Sequence, residues 1–315
     1  MGAPVCGFGR FARRFLSTDP GMVAHFGDPF RPLEPECRVI QFEQPLTPEQ
    51  LRRAGELVAD RPDVQLYVYL RAARDLDFLR YFPKLRRLQV ALYSLDDVSG
   101  FGHVADTLED LIFDSTKKTF SLRFLASMPR LTSLFLVRQK KDLSVISGLT
   151  GLTKLGLSGI TLKDLSLLLP LTALRDLKIF LGGTTNLALL PRLPALEDLH
   201  IMRVTKLSDL GMLGEMLGLR RLELVWLRNV TALPSLARLT RLEEVRFETM
   251  KGLTDLSAVA AAPALRRLAV HDAPQLTADH FRCLLGHPTL ADLWVGTGRT
   301  KVNDAVRQMF PAIGR

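Results

Sequence analysis

The sequence predicts an α/β solenoid, in which stacked repeats each contribute one short strand to a parallel sheet. The first observation is a frame, L-x-x-L-x-L, that recurs at intervals of 21 to 25 residues. The frame begins at ten leucines: Leu85, Leu108, Leu131, Leu152, Leu174, Leu196, Leu219, Leu242, Leu265 and Leu290. The second is another leucine nine residues before most frames, as at Leu122 and Leu165. Because no single unit can bury its apolar side, stacking must merge the leucines into one core.

Weaker matches extend the frame toward the N-terminus and define the predicted domains. Asp63-x-x-Leu66-x-Val68 and Cys37-x-x-Ile40-x-Phe42 bring the total to about 11–12 strands. We expect a curved horseshoe with a concave parallel sheet and a convex face of loops, 3-10 turns and short helices. The predicted parts are an irregular arm (1–36), an N-terminal cap of strand plus helix (37–62), the repeats (63–296) and a C-terminal cap helix (297–315).

Helical caps are predicted at both ends because a solenoid otherwise exposes its core. Thr47-Pro48-Glu49-Gln50 has the capping residue, the proline and the glutamine that start a helix. This helix should run to about Ala59, before Arg61-Pro62. Thr277–Leu285 and Asn303–Phe310 look helical and should close the other end.

Composition indicates a well-cored protein from a reducing compartment. Hydrophobic residues make up 47% and charged residues 24% of the chain, and the three cysteines are too scattered for a disulfide framework. No apolar run approaches 18 residues, so no membrane association is expected. We expect a cytoplasmic location. An Arg-rich start without acids before Asp19 leaves an organellar presequence open, and secretion without a classical signal is another alternative.

The repeats resemble those of leucine-rich-repeat proteins, and within them the 22-residue SDS22-like and internalin-like bacterial class. The closest stretch is Leu152–Leu174, LTKLGLSGITLKDLSLLLPLTAL, and its K-D-L-S element recurs at Lys141–Ser144. The resemblance covers roughly residues 63–296 and implies a non-catalytic binding scaffold, with a phosphatase-regulator-like role as one alternative. That class usually has Asn three residues after the last frame leucine. This chain has other residues there: Tyr93, Thr116, Gln139, Ile160, Gly182, Val204, Leu227, Met250, Ala273 and Gly298. The turns must therefore satisfy their backbone groups in another way.

The variable frame positions should stack into columns on the concave face, because side chains alternate along a strand. The column before the second frame leucine alternates in charge from Asp198 through Arg221, Glu244 and Arg267 to Asp292. Opposite charges on neighbouring strands stabilise a sheet by about 0.2–1 kcal/mol each. We interpret this column as a structural ladder; a ligand-binding stripe is the alternative.

The next columns predict an exposed apolar patch near the middle of the solenoid, and such patches usually mark interaction sites. The predicted patch consists of Ile112, Phe135, Val137, Phe180, Met202, Val225 and Trp226. The alternative is that residues 1–36 fold back over it, or that the return segments shift the register.

A basic edge is predicted along the turns that follow the strands. Residues 1–62 hold equal numbers of basic and acidic residues, so the net charge of +9 arises in the repeats. The residues of this edge are Lys117, Lys118, Arg138, Lys140, Lys141, Arg203, Lys206, Arg228 and Lys251. It should attract an acidic protein surface. A nucleic acid or other polyanion is the alternative partner, and a solvated edge without a partner is the third interpretation.

No catalytic, cofactor or metal site is expected. The sequence contains no phosphate-binding loop, nucleophile elbow or four-ligand zinc signature. His280-x-x-Cys283-x-x-x-His287 could place three ligands on one side of a helix, but we expect Cys283 to pack in the core and His287-Pro288 to end the helix. His200 and His271 lie three repeats apart, too far to act as a pair.

The sequence thus predicts a monomeric, non-catalytic bacterial scaffold that binds a protein partner through the apolar patch and the basic edge. A toxin-immunity or effector-like role fits this description, as does assembly scaffolding.

Overall fold

The computed structural model describes residues 22–25, 33, 35–42, 44–114, 116–311 and 313. Its strands form one parallel sheet of 13 strands in sequence order. The strands are β1 (Met22–His25), β2 (Cys37–Phe42), β3 (Gln65–Val68), β4 (Arg87–Val90), β5 (Asp110–Phe113), β6 (Ser133–Val137), β7 (Lys154–Ser158), β8 (Asp176–Phe180), β9 (Asp198–Met202), β10 (Arg221–Val225), β11 (Glu244–Glu248), β12 (Arg267–His271) and β13 (Asp292–Gly296). The predicted solenoid and its parallel sheet are confirmed.

Strand β1 lies within the segment predicted to be an irregular arm, and it pairs with β2. The rest of that arm, apart from residues 33, 35 and 36, lies outside the described residues.

The return segments are mostly single 3-10 turns. They span Asp77–Tyr81, Ser99–Val104, Leu122–Ser127, Leu143–Gly148, Ser166–Leu168, Leu190–Arg192, Gly211–Glu215 and Ala278–Leu284. The α-helices are α1 (Pro48–Ala59), α2 (Ser257–Ala260) and α3 (Thr300–Met309). None of the helices in the described part of the chain is long and apolar enough to cross a bilayer.

Helix α1 begins where the capping motif predicts. The Thr47 hydroxyl accepts a hydrogen bond from the Gln50 N–H, and the Gln50 side chain accepts one from the Thr47 N–H at 2.9 Å. These bonds satisfy two of the donors that a helix start leaves without partners. The helix buries Ala54 and Val58 against the first repeats. The prediction of a helix from Pro48 to about Ala59 is confirmed.

The frame leucines form a continuous core between the sheet and the return segments. From β4 to β12, the second and fourth residues of every strand are at most 2% exposed. Aromatic rings thicken this core near β5, where Phe101 stacks on Phe124 with ring centroids 4.6 Å apart. At the C-terminal end, Val302, Val306 and Phe310 are buried.

Candidate functional site

The residues predicted to share a column lie directly opposite one another on neighbouring strands. Asp198 lies opposite Arg221, Arg221 opposite Glu244, and Glu244 opposite Arg267. Arg221 forms a salt bridge with Asp198, and the Arg267 guanidinium lies 3.2 Å from Asp292. These cross-strand pairs support the structural interpretation of the alternating column.

The apolar patch exists as a cluster, but most of it is buried. Five of its residues form a cluster separate from the leucine core and are only 3–6% exposed, with Val137 packed against them. We call these five the central cluster: Ile112, Phe135, Phe180, Met202 and Val225. The expectation that they are exposed is wrong. Neighbouring strands lie about 4.8 Å apart, so large side chains in adjacent repeats cover one another.

A glycine allows this mutual cover. The Phe135 ring lies above Gly156 on the next strand, where a Cβ atom would collide with it. The ring thereby reaches Phe180, with centroids 5.9 Å apart, and Phe180 in turn meets the edge of the His200 ring at 4.5 Å. The cluster is a second, smaller core on the concave side.

Charged groups beside the cluster are also partly removed from water. Burial lowers the pKa of His200 to about 3, with further lowering by Lys178 and Arg246, so its ring is neutral at neutral pH. Its Nδ1 lies 3.3 Å from Glu223 Oε2. Burial also raises the pKa values of Glu223 and of Asp110. This region holds its charges by pairing them, and it exposes little apolar surface.

The residue directly after each strand from β6 to β12 adopts a left-handed backbone conformation. We call these residues the left-handed row: Arg138, Gly159, Leu181, Arg203, Trp226, Thr249 and Asp272, with φ values of 59°, 65°, 54°, 53°, 57°, 53° and 45°. Only one of the seven is glycine. For residue types other than Gly, Asn and Asp, this conformation costs about 1–2 kcal/mol.

The N–H groups of the left-handed row are all paired with backbone carbonyls. Each N–H of the row donates to the carbonyl of the last residue of the next strand, as from Leu181 to Met202 at 2.9 Å and from Trp226 to Glu248 at 2.8 Å. One amide side chain still acts at the usual Asn position. Gln139 is 1% exposed, donates to Thr116 and accepts from the Phe120 N–H. From β6 to β12, the N–H that follows each strand is therefore paired without an Asn side chain.

The left-handed row also presents two large exposed apolar side chains on this edge. Trp226 is 41% exposed and Leu181 is 36% exposed. The Arg203 guanidinium lies over the Trp226 ring, 4.6 Å from its centroid, in a cation–π contact. Trp226 is thus the one residue of the predicted patch that is exposed, while Val137 is half-buried. The sequence analysis did not identify Leu181 as an exposed residue of this edge. The available signal was its position, because Gly159 occupies the equivalent place in the preceding repeat and glycine tolerates a left-handed backbone.

All nine residues of the predicted basic edge are exposed. Lys118 forms a salt bridge with Asp96. In the part of the chain that the structure describes, no carboxylate lies within salt-bridge distance of Lys140, Lys141 or Arg228. Arg203 and Arg138 belong to both the basic edge and the left-handed row, so the exposed aromatic and the cationic side chains lie on the same side of the sheet.

The residues considered for metal binding have structural partners. The His280 ring accepts the Thr277 N–H at 2.9 Å in a capping box, and the His287 ring nitrogen lies 3.0 Å from the Ala262 carbonyl. Cys283 is exposed, so the expectation that it packs in the core is wrong: its side chain points outward from a 3-10 turn whose buried residues are Phe281 and Leu284. Among the described residues, no group of His, Cys, Asp and Glu is arranged to hold a metal.

Aspartates cap the return segments and give the fold a defined response to acid. Hydrogen bonds from the Ser99, Ser166 and Ser257 side chains and N–H groups lower the pKa values of Asp97, Asp164 and Asp255. A lowered carboxylate pKa contributes stability that is present above the unfolded value of 3.8 and is lost as the pH falls through the folded value.

We expect the combined change of Asp97, Asp164 and Asp255 to Asn to flatten this acid-induced loss of stability, because Asn keeps a capping oxygen but does not titrate. Thermal unfolding between about pH 2 and pH 6 measures it. A matched change of Asp106, an exposed aspartate with no cap bond, should leave the profile unaltered. Parallel profiles for all three proteins would contradict the assignment.

Comparison with solved structures finds leucine-rich-repeat proteins of similar fold. An internalin (inlF) of Listeria monocytogenes matches with a TM-score of 0.53 at 17% identity, covering 82% of this chain and 81% of the internalin. Internalin C2 (inlC2) of the same organism matches at 23% identity over 62% of this chain and 83% of that one, with a TM-score of 0.47. A leucine-rich-repeat protein of Leptospira interrogans matches at 15% identity over 90% and 92%, with a TM-score of 0.42. No protein-family model and no curated protein matches the sequence.

The repeats, the sheet and the first of these likenesses together define the class: the chain has the leucine-rich-repeat solenoid fold.

Proposed function

We propose that this chain is a non-catalytic scaffold that binds an acidic surface of a protein partner along one edge of the sheet. The observation that carries the proposal is the coincidence, on that edge, of the basic edge with exposed Leu181 and Trp226. Trp and Arg are the residue types most enriched among those that dominate binding energies. The central cluster itself offers little surface to a partner, because its side chains are buried.

The charge of the edge favours an acidic partner and rapid association. Exposed cations that stack repeat upon repeat create a field of one sign, which steers an oppositely charged protein and weakens as salt is added. Neutralisation of a toxin domain, action as an effector and assembly of a complex are all forms of such binding. We propose a cytoplasmic location for it.

Capture of partners by the full chain from a lysate of its native cell, followed by mass spectrometry, tests the proposal. We expect an acidic protein whose capture falls at least about tenfold when Lys140 and Lys141 are both changed to Glu, because two attractive charges become repulsive. The control changes Arg130 and Arg266 to Glu. Both are exposed and lie near the opposite ends of the strands, so capture should persist.

Two results would overturn this function. If changing Lys140 and Lys141 to Glu left capture unchanged, and added salt did not weaken it, the basic edge would not be part of the interface. Capture that disappears after nuclease treatment, with an affinity that falls steeply as salt rises, would show a nucleic acid partner instead.

A further inference from the structure

Arg203 and Trp226 form a pair on the basic edge whose positive charge has no counter-ion among the described residues. They follow β9 and β10, and the Arg203 guanidinium lies 4.6 Å from the centroid of the Trp226 ring. In the described part of the chain, the Arg203 side chain makes no salt bridge and donates no hydrogen bond. Arg221 on β10 differs, because it is bound to Asp198.

The contact with the ring prepares the Arg203 guanidinium for a carboxylate. A guanidinium carries five N–H groups in its own plane, and this planar fork matches the two oxygens of a carboxylate. The cation–π contact restricts a long side chain that would otherwise lose more conformational freedom on binding. Among the described residues, no acceptor occupies the fork. The pair is thus a partly ordered cation that is open to a ligand.

Three further cations surround the pair. Lys206 follows β9, Arg228 follows β10 and Lys251 follows β11, and all three are exposed. None of them has a carboxylate within salt-bridge distance in the part of the chain that the structure describes. Since neighbouring strands are about 4.8 Å apart, these turns span about 10 Å. An extended segment of about four residues covers that length.

The backbone of this site favours a carboxylate over a phosphate group. Phosphate sites commonly use free backbone N–H groups of a turn or of a helix start. Here the N–H groups of Leu181, Arg203, Trp226 and Thr249 each donate to the carbonyl of the last residue of the next strand. The left-handed row therefore offers a ligand side chains and no backbone donors.

Charge indicates that the occupant is a different, acidic chain. The N-terminal residues 1–18 contain three arginines and no acid, so they do not complement the site. The net charge of +9 likewise disfavours a second copy of this chain. The next acid of the left-handed row, Asp272, accepts a hydrogen bond from the Thr249 hydroxyl at 2.8 Å and borders the site on the C-terminal side.

We propose that the pair of Arg203 and Trp226 is a carboxylate-binding site that takes an extended acidic segment of the partner. One Asp or Glu of the segment binds the Arg203 guanidinium through two parallel hydrogen bonds, and its neighbours pair with Lys206, Arg228 and Lys251. This inference rests on the function proposed above and adds the chemistry of the recognised segment.

Titration of the full chain carrying Trp294→Phe with a blocked tetraglutamate peptide tests the site. Trp226 is then the only tryptophan, so its fluorescence reports on this site alone. We expect saturable binding with a Kd of about 1 mM or tighter at low ionic strength. Arg203→Lys should weaken it at least about tenfold, because lysine keeps the charge but lacks the fork. Arg130→Lys, a matched change near the opposite ends of the strands, should leave it unchanged.

Three results would overturn the inference: no saturable binding up to about 10 mM peptide, binding that Arg203→Lys leaves unchanged, or tighter binding of inorganic pyrophosphate or of a thymidine oligonucleotide. The proposed function fails separately. If capture from the lysate depends on Lys140 and Lys141 but is unaffected by Arg203→Lys, the function stands and this site is wrong. If the peptide binds through Arg203 while capture is unaffected by charge reversal at Lys140 and Lys141, the function fails and the site stands.

Discussion

Gly156→Ala is expected to lower the free energy of unfolding by about 2–3 kcal/mol, the upper part of the range for overpacked sites. The new methyl group would occupy the position of the Phe135 ring, which must then leave its contact with Phe180. Urea denaturation measures the loss. The control is Gly102→Ala, since nothing lies within 4 Å of a Cβ at that position.

A second substitution tests whether the stability loss in Gly156→Ala comes from the clash with the Phe135 ring or from the reduced backbone freedom of alanine. Phe135→Ala removes the ring and should itself cost about 3 kcal/mol or more. In the Phe135→Ala background, however, Gly156→Ala should cost less than about 0.5 kcal/mol, because no ring remains to be displaced. Additive losses would contradict the assignment of Gly156 as the space that the ring needs.

Trp226→Gly is expected to reduce partner binding at least about thirtyfold, the loss typical of a central interface tryptophan. Folding should change little. Glycine relieves the cost of a left-handed backbone, which offsets the packing that the ring loses over Arg203. Titration calorimetry with the captured partner measures binding, and urea denaturation measures stability.

Leu181→Gly tests the strain in the same row. Leu181 has a φ of 54° and an exposed side chain, so glycine should raise the free energy of unfolding by about 1 kcal/mol. Leu181→Ala keeps the strain and should not stabilise. If Leu181→Gly and Trp226→Gly each lowered the free energy of unfolding by more than about 2 kcal/mol, these side chains would serve the fold and not a partner.

The register of the sheet was predictable from sequence because it depends on a repeated local pattern. Each frame places leucine on the core side, and stacking then aligns Arg221 with Asp198 and Glu244 without further information. The N-terminal cap helix was predictable for a similar reason, since Thr47 and Gln50 lie three residues apart.

The exposure of the concave residues was not predictable from the pattern. It depends on how far a side chain leans into the next repeat, and Phe135 leans over Gly156. The left-handed row was also hidden, because five of its seven residues belong to types that rarely adopt positive φ. The partial exposure of Leu293 and Val295 was also not predictable, because their frame is the same as in the strands before it.

Hydrogen exchange of the full chain, with and without the captured partner, tests the central claim most directly. The partner should protect the turns at residues 138–141, 181–183, 203–206 and 226–228, which carry the basic edge and the exposed members of the left-handed row. The 3-10 turns on the convex side should exchange equally in both states. Protection confined to those convex turns, with unchanged exchange at Arg203 and Trp226, would contradict the account.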